Sequence, residues 1–203
     1  MVKPEDIIPC GLTDEEVKGC IVTALQLSDS MIDRADLHTR TYLERFFDLV
    51  MGEISEQTVL KWARDNGKYA ESAVDKASGV PDLGHDIYFK RKRGTQTGLV
   101  KCSVKSSLSA VISDPSKILS TYSLASKRSE IGDVNVQVYF WLRVSGAPRT
   151  TVPSTENMGI IGWLGHKEAS LYKEQSYATE RRPEIQAKLK DLHPMKELLP
   201  YLI

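Results

Sequence analysis

The stretch Pro81-Asp82-Leu83-Gly84-His85-Asp86-Ile87-Tyr88-Phe89, followed after a short basic loop by Leu99-Val100-Lys101-Cys102-Ser103-Val104-Lys105-Ser106-Ser107, decides the fold. Apolar and polar residues alternate with period 2 in both halves, which predicts two half-buried strands. In the first, Ile87 and Phe89 share one face, and Asp86, Tyr88 and Lys90 share the other. In the second, Val100, Cys102 and Val104 are apolar, and Lys101, Ser103 and Lys105 lie opposite. The connection, Arg91 to Gly98, carries two glycines and suits a hairpin. Antiparallel pairing then brings Asp86, Ser103 and Lys105 out on one side of a sheet.

The bulk composition narrows the setting. A chain of 203 residues makes one medium domain, or one domain with an extension. Its 27 basic and 27 acidic residues cancel, so net charge points to no partner, and any nucleic-acid contact must come from a local basic patch. Cys10, Cys20 and Cys102 are odd in number and contain no CxxC pair, which argues against zinc and against a disulfide framework. They read as reduced thiols of a cytoplasmic protein. No apolar run approaches the ~18 residues that span a bilayer, so no membrane role is expected. The N-terminus lacks the basic-then-apolar layout of a signal peptide.

Working outward from the hairpin, the first third reads as helical. Thr13-Asp14-Glu15-Glu16 is a capping box. The helix it opens carries Val17, Cys20, Ile21, Ala24 and Leu25 on one face. Further helices are expected at 34–50 and 53–65, the second stopped by Asn66-Gly67, with a short one at 69–77. After the hairpin, a helix is expected from Pro115 towards Arg128. Val134 to Val144 and Met158 to Leu164 read as buried strands. The tail reads as helices over 166–175, 183–192 and 194–202. The whole is mixed α/β.

This order of elements, carrying these residues, resembles the PD-(D/E)XK superfamily of restriction-endonuclease-like nucleases over roughly residues 50 to 200. The resemblance implies a central mixed sheet of four to five strands flanked by helices. It implies a helical N-terminal extension over 1–50 and a nuclease core with C-terminal helices over 51–203. Asp86 matches the first metal-binding acid. Ser103-Val104-Lys105 stands in the place of (D/E)-x-K. Met51-Gly52-Glu53-Ile54-Ser55-Glu56 would open the core helix, whose glutamate often lines the site. Ser103 is a departure, since a carboxylate belongs there. Glu53, Glu56 and Glu130 are the candidate replacements, with Glu53 preferred.

The implied activity is a Mg²⁺-dependent DNA endonuclease, a type II restriction enzyme or a phage or defence nuclease, with Mn²⁺ able to substitute. It would act on double-stranded DNA, as a homodimer. Mg²⁺ binds one or two carboxylates plus waters and phosphate oxygens. Asp86, Glu53 and the backbone carbonyl of Val104 would supply the protein's share. Lys105 would sit beside the attacking water and the scissile phosphate. Arg91, Lys92, Arg93, Lys101, Lys127 and Arg128 would grip phosphates, which position a duplex without reading its sequence.

Each of these residues also has a plainer reading. An aspartate and a lysine on paired strands commonly form an exposed salt bridge. Glutamates in the first turn of a helix favour its dipole. Basic hairpin tips are commonly solvated turns. His85 reads as packing or polar support, and Cys102 as core. The alternative function is a nuclease-like fold that has lost catalysis and serves as a DNA-binding or assembly module. An unrelated α/β interaction protein is a third.

Overall fold

A computed structural model describes residues 1–30, 40–74, 85–93, 96–141, 154–175 and 184–203, with only the backbone of 30, 92, 93, 96 and 175. Two reciprocal caps start the helices of the N-terminal half. The Thr13 N–H donates to Glu16 Oε2 (2.6 Å), and the Glu16 N–H donates to Thr13 Oγ1 (3.3 Å), ahead of α1 (Asp14–Ser30). Thr41 and Glu44 repeat the device ahead of α2 (Tyr42–Asp65). In place of helices at 34–50 and 53–65, a single helix runs through Gly52, and 31–39 lie outside the described residues. One interior glycine costs only about 1 kcal/mol, which a long packed helix tolerates. The helix stops as read: Gly67 has φ +68°, and Lys68 N–H bonds the Ala63 carbonyl. On α1, Cys20 and Ala24 face the core, while Ile21 and Leu25 are exposed, a correction to the expected apolar stripe.

The hairpin forms as the alternation requires. Strands β3 (Ile87–Arg93) and β4 (Gln96–Leu108) pair antiparallel, from Ile87 opposite Cys102 to Arg93 opposite Gln96. Ile87, Phe89, Val100 and Cys102 are all buried. The sheet is larger than the four to five strands expected. Its six strands run in the order β1 (Ile8–Pro9), β7 (Met158–Gly165), β6 (Val134–Phe140), β4, β3, β2 (Ala70–Ser72). The outermost strands have two and three residues, too few to show a period. β2 takes part of the range read as a short helix at 69–77; 75–77 lie outside the described residues. β4 and β6 are parallel, and the other pairs are antiparallel. The crossover between them holds α3 (Pro115–Thr121) and then β5 (Ser123–Ser126), so the expected helix ends well before Arg128.

From α2 to β6 the chain runs helix, three antiparallel strands, helix, the short strand β5 of a second sheet, a 3-10 turn, and a strand parallel to the third. α1 and α2 cover one face, where Cys20, Ala24, Ile54, Val59, Phe89, Val136 and Phe140 form the larger core. A second core, with Ile118, Leu124, Tyr139, Ile161 and Ile185, fills the other face. There a small sheet, β5-β9-β8, uses β9 (Glu184–Lys188) and β8 (Glu174–Gln175). The expected C-terminal helices are thus corrected. α4 spans only His166–Ala169, 189–201 holds short 3-10 turns, and β9 replaces the start of a helix. Glu184-Ile185-Gln186-Ala187-Lys188 buries Ile185 and Ala187 and leaves the others outside, a period of 2 that helix-forming composition concealed. No described helix is long and apolar enough to cross a membrane.

Candidate functional site

Asp86 precedes β3 and joins it to the middle of β4. Its N–H donates to the Cys102 carbonyl (2.9 Å), and its Oδ2 accepts from the Val104 N–H (2.6 Å). The carboxylate takes over a main-chain bond of β4 where β3 has ended. It is held by the N–H of the residue immediately before Lys105. Continued register would put Asp86 opposite Ser103; instead its N–H bonds the Cys102 carbonyl.

That thiol reports on its surroundings. Burial pushes Cys102 well above its ordinary range, and the negative charges of Asp86 and Glu56 push the same way. Two carboxylates, one from the strand start and one from α2, therefore act on one buried sulfur. Glu56 and Glu53 are both buried on α2. Glu53 lines a pocket of about 340 Å³ between the helices, with Glu16, Cys20, Thr23, Gln57 and Lys61. Among the acids considered for the place of Ser103, Glu56 has its charge on Cys102.

Lys105 belongs to a second cluster. Its Nζ lies 2.9 Å from Glu130 Oε2, and Lys127 Nζ lies 3.6 Å from Glu130 Oε1. Glu130 ends the 3-10 turn Arg128–Glu130 in the crossover, where its N–H bonds the Lys127 carbonyl. Ser103 shares the face of Lys105 by alternation. It is 1 % exposed, and its hydroxyl has no hydrogen-bond partner among the described residues.

Gln137, which sequence reasoning passed over, supports Lys105 from β6. Its Nε2 donates to the Lys105 carbonyl (3.0 Å) and to Ser107 Oγ (3.3 Å). The signal was present: Asn135 and Gln137 are polar positions two apart within an otherwise apolar, fully buried strand. A buried amide in such a strand has a specific polar partner to meet.

The basic residues divide. Arg91 and Lys101 are exposed on the hairpin, and the Lys101 N–H is held by Asp133 Oδ2. Lys92 and Arg93 lie in β3, with their side chains outside the description. Arg128 reaches Glu174 and the carbonyls of Ser170 and Tyr172, tying the crossover to the chain around β8. His85 is buried, with Nε2 2.8 Å from Tyr88 Oη. It precedes the strand, so strand alternation does not govern it. Pro81 to Gly84 lie outside the described residues.

Asp86 is a hard-oxygen donor, and Glu56 is a second carboxylate whose charge reaches the same thiol. Among the described residues no three His, Cys, Asp or Glu side chains form a group arranged to hold a metal. Mg²⁺ asks less of a protein, since one or two carboxylates suffice when substrate oxygens and waters complete the shell. Asp86 and Glu56 are of the donor type which that demand calls for. No protein-family model matches the chain, and no curated protein or solved structure matches it.

Proposed function

We propose that this chain is a Mg²⁺-dependent DNA endonuclease with a restriction-endonuclease-like core. The observation that carries the reading is the Asp86 carboxylate bonded to the Val104 N–H, which ties an acid to the residue next to Lys105. The order helix, three antiparallel strands, a crossover of helix and short strand, and then a parallel strand supports it. Asp86 stands at the head of the second of those strands and Lys105 in the last third of the third.

Asp86 and Glu56 would hold the cation, with Glu53 and the Val104 carbonyl as the further candidates. When bound, Mg²⁺ supplies Lewis-acid polarisation of the phosphate and a more acidic water. The remaining work falls to the chain. Lys105 offers an ammonium to the charge that grows on the phosphate oxygens in the transition state. Gln137, through the Lys105 carbonyl, holds that stretch of β4 in place. Exposed Arg91 and Lys101 contact the duplex backbone.

The test is nicking and linearisation of supercoiled plasmid by the purified chain with Mg²⁺ or Mn²⁺, and its arrest by chelator. Metal-dependent cleavage is expected, and its absence sinks the reading. A second reading, a non-catalytic DNA-binding module, draws on Ser103 in the acid's place and on Lys105 already paired with Glu130. Duplex binding in Ca²⁺ without cleavage in Mg²⁺ selects it.

A further inference from the structure

We infer that the projecting end of the β3–β4 hairpin is a ribbon that enters the major groove of duplex DNA, with Thr97 and Leu99 against the base edges. The inference rests on the duplex-DNA reading and goes beyond it, because it gives the chain a means of reading sequence. The two strands outrun the sheet that holds them. β2 pairs β3 only over Ile87–Phe89, and β6 pairs β4 only from Cys102 onward. Between those limits β3 and β4 pair only with each other, from Lys90 opposite Leu99 to Arg93 opposite Gln96. The strand from Lys90 to Arg93 extends about 13 Å, and paired strands lie about 4.8 Å apart. The major groove is about 12 Å wide and about 8.5 Å deep, which admits a two-stranded ribbon of that length; the minor groove, about 6 Å wide, does not.

Charge selects the partner. Ile87 to Leu108 carries six basic residues and no acidic one, in a chain of zero net charge. Both faces of the ribbon are open. On one, Arg91 stands opposite Gly98, and a Cβ on Gly98 would meet nothing among the described residues within 4 Å. On the other, Thr97, Leu99 and Lys101 follow one another at alternate positions, all exposed. Lys90, the cross-strand neighbour of Leu99, is drawn aside over the Tyr69 ring, its Nζ 3.5 Å from the centroid. The Lys90 carbonyl accepts from the Ile203 N–H (3.0 Å), so the ribbon is anchored where it leaves the sheet.

Leu99 is the decisive residue. It is 52 % exposed between the polar Thr97 and Lys101. Lysines and arginines on an open strand edge commonly serve to prevent edge-to-edge pairing. For that purpose an exposed leucine is a liability. Groove entry gives it a partner, since the thymine 5-methyl group is the apolar feature of the major groove. Thr97, next on that face, meets a second methyl or a base-edge acceptor. Lys101 lies two residues back towards the sheet, at the rim, where the phosphates are. Gly98, without a side chain, lets the groove wall approach the strand backbone.

The test is selection of bound duplexes by the full chain from a randomised pool in Ca²⁺. The enriched duplex is then titrated with thymine or with uracil at its T positions; uracil lacks only the methyl group. Wild type is expected to enrich a thymine-containing site and to bind the uracil duplex several-fold more weakly. Leu99→Ala is expected to bind both duplexes alike, with the salt dependence of wild type, because no phosphate contact is lost. The uracil duplex makes the same point with the protein unaltered, so the test does not depend on how the variant folds. Enrichment of no sequence, equal wild-type affinity for the two duplexes, or a thymine preference that survives in Leu99→Ala overturns the ribbon's role. Mg²⁺-dependent plasmid cleavage alongside any of these leaves the nuclease reading intact. A thymine preference that depends on Leu99, without cleavage in Mg²⁺, keeps the ribbon and removes the nuclease.

Discussion

Two ionic clusters meet β4, and they have opposite character. Around Cys102, Asp86 and Glu56 bring two negative charges to a buried thiol. Around Lys105, two lysines share one glutamate. The first gathers carboxylates around a thiol, and the second gathers ammonium groups around a carboxylate. They are separated by a single peptide, because Asp86 is bonded to Val104 and Lys105 follows it. A strand is well suited to this separation, since successive side chains leave on opposite faces while their backbones stay within one rise of about 3.3 Å.

The largest effect is expected at the cation side. Asp86→Asn keeps an oxygen to accept from the Val104 N–H and removes the charge. Plasmid cleavage is expected to fall by about 100-fold or more, the scale on which one well-placed electrostatic group acts. Thermal stability should stay near wild type because the strand bond survives. A variant that cleaves at the normal rate places the cation elsewhere.

Next comes the choice among the helix acids. Glu56→Gln is expected to raise the Mg²⁺ concentration needed for half-maximal cleavage by about tenfold, and Glu53→Gln by less. The difference follows from Glu56 acting on Cys102 while Glu53 lines the inter-helix pocket. The opposite ranking, read from two metal titrations, returns the role to Glu53.

This ranking marks where the sequence stops being legible. The hairpin was readable because each strand shows several full periods, and Ile87, Phe89, Val100 and Cys102 are buried on the face that alternation assigned. β1 and β2 were not, because two or three residues carry no period. β9 was hidden by Glu, Gln, Ala and Lys, residues that favour helix until Ile185 and Ala187 find a second core to enter. In the site, local pairing was within reach and long-range pairing was not. Glu130 meets Lys105 across 25 positions of chain, a contact set by where the crossover returns. Asp86 bonds the Cys102 carbonyl because β3 ends there, and no periodicity announces where a strand will end.

Cys102 allows a smaller test of how closely the acids crowd the thiol. Its raised pKa means that the unfolded chain, with a thiol near 8.5, loses its proton before the folded one does. The unfolded state then binds fewer protons, so stability falls as pH rises above about 8.5. Cys102→Ala will cost stability at every pH by leaving a gap in the core. The informative quantity is the slope, which is expected to flatten between pH 8 and 10 in denaturant unfolding. An unchanged slope means that other groups set the alkaline limit.

The smallest effect lies away from both clusters, in the caps of α1 and α2, and it separates general acid sensitivity from that of the site. The Thr13 N–H bonded to Glu16, and the Thr41 N–H bonded to Glu44, hold these carboxyls below their usual range, with the threonine hydroxyls adding. A carboxyl whose folded pKa is depressed contributes stability above the unfolded value near 4.5, and loses it as pH falls through the folded value. Both groups are solvent-exposed, so the contribution is shallow and screened by salt. Glu16→Gln with Glu44→Gln is expected to lessen the decline in stability below pH 4.5, measured against wild type at low ionic strength. Metal affinity at neutral pH should not change in Glu44→Gln alone, because Glu44 lies outside the pocket that Glu16 shares with Glu53. A metal affinity that moved with that cap would show that the helical layer tunes the cation cluster through Glu56, and would end the independence of the two sides of β4.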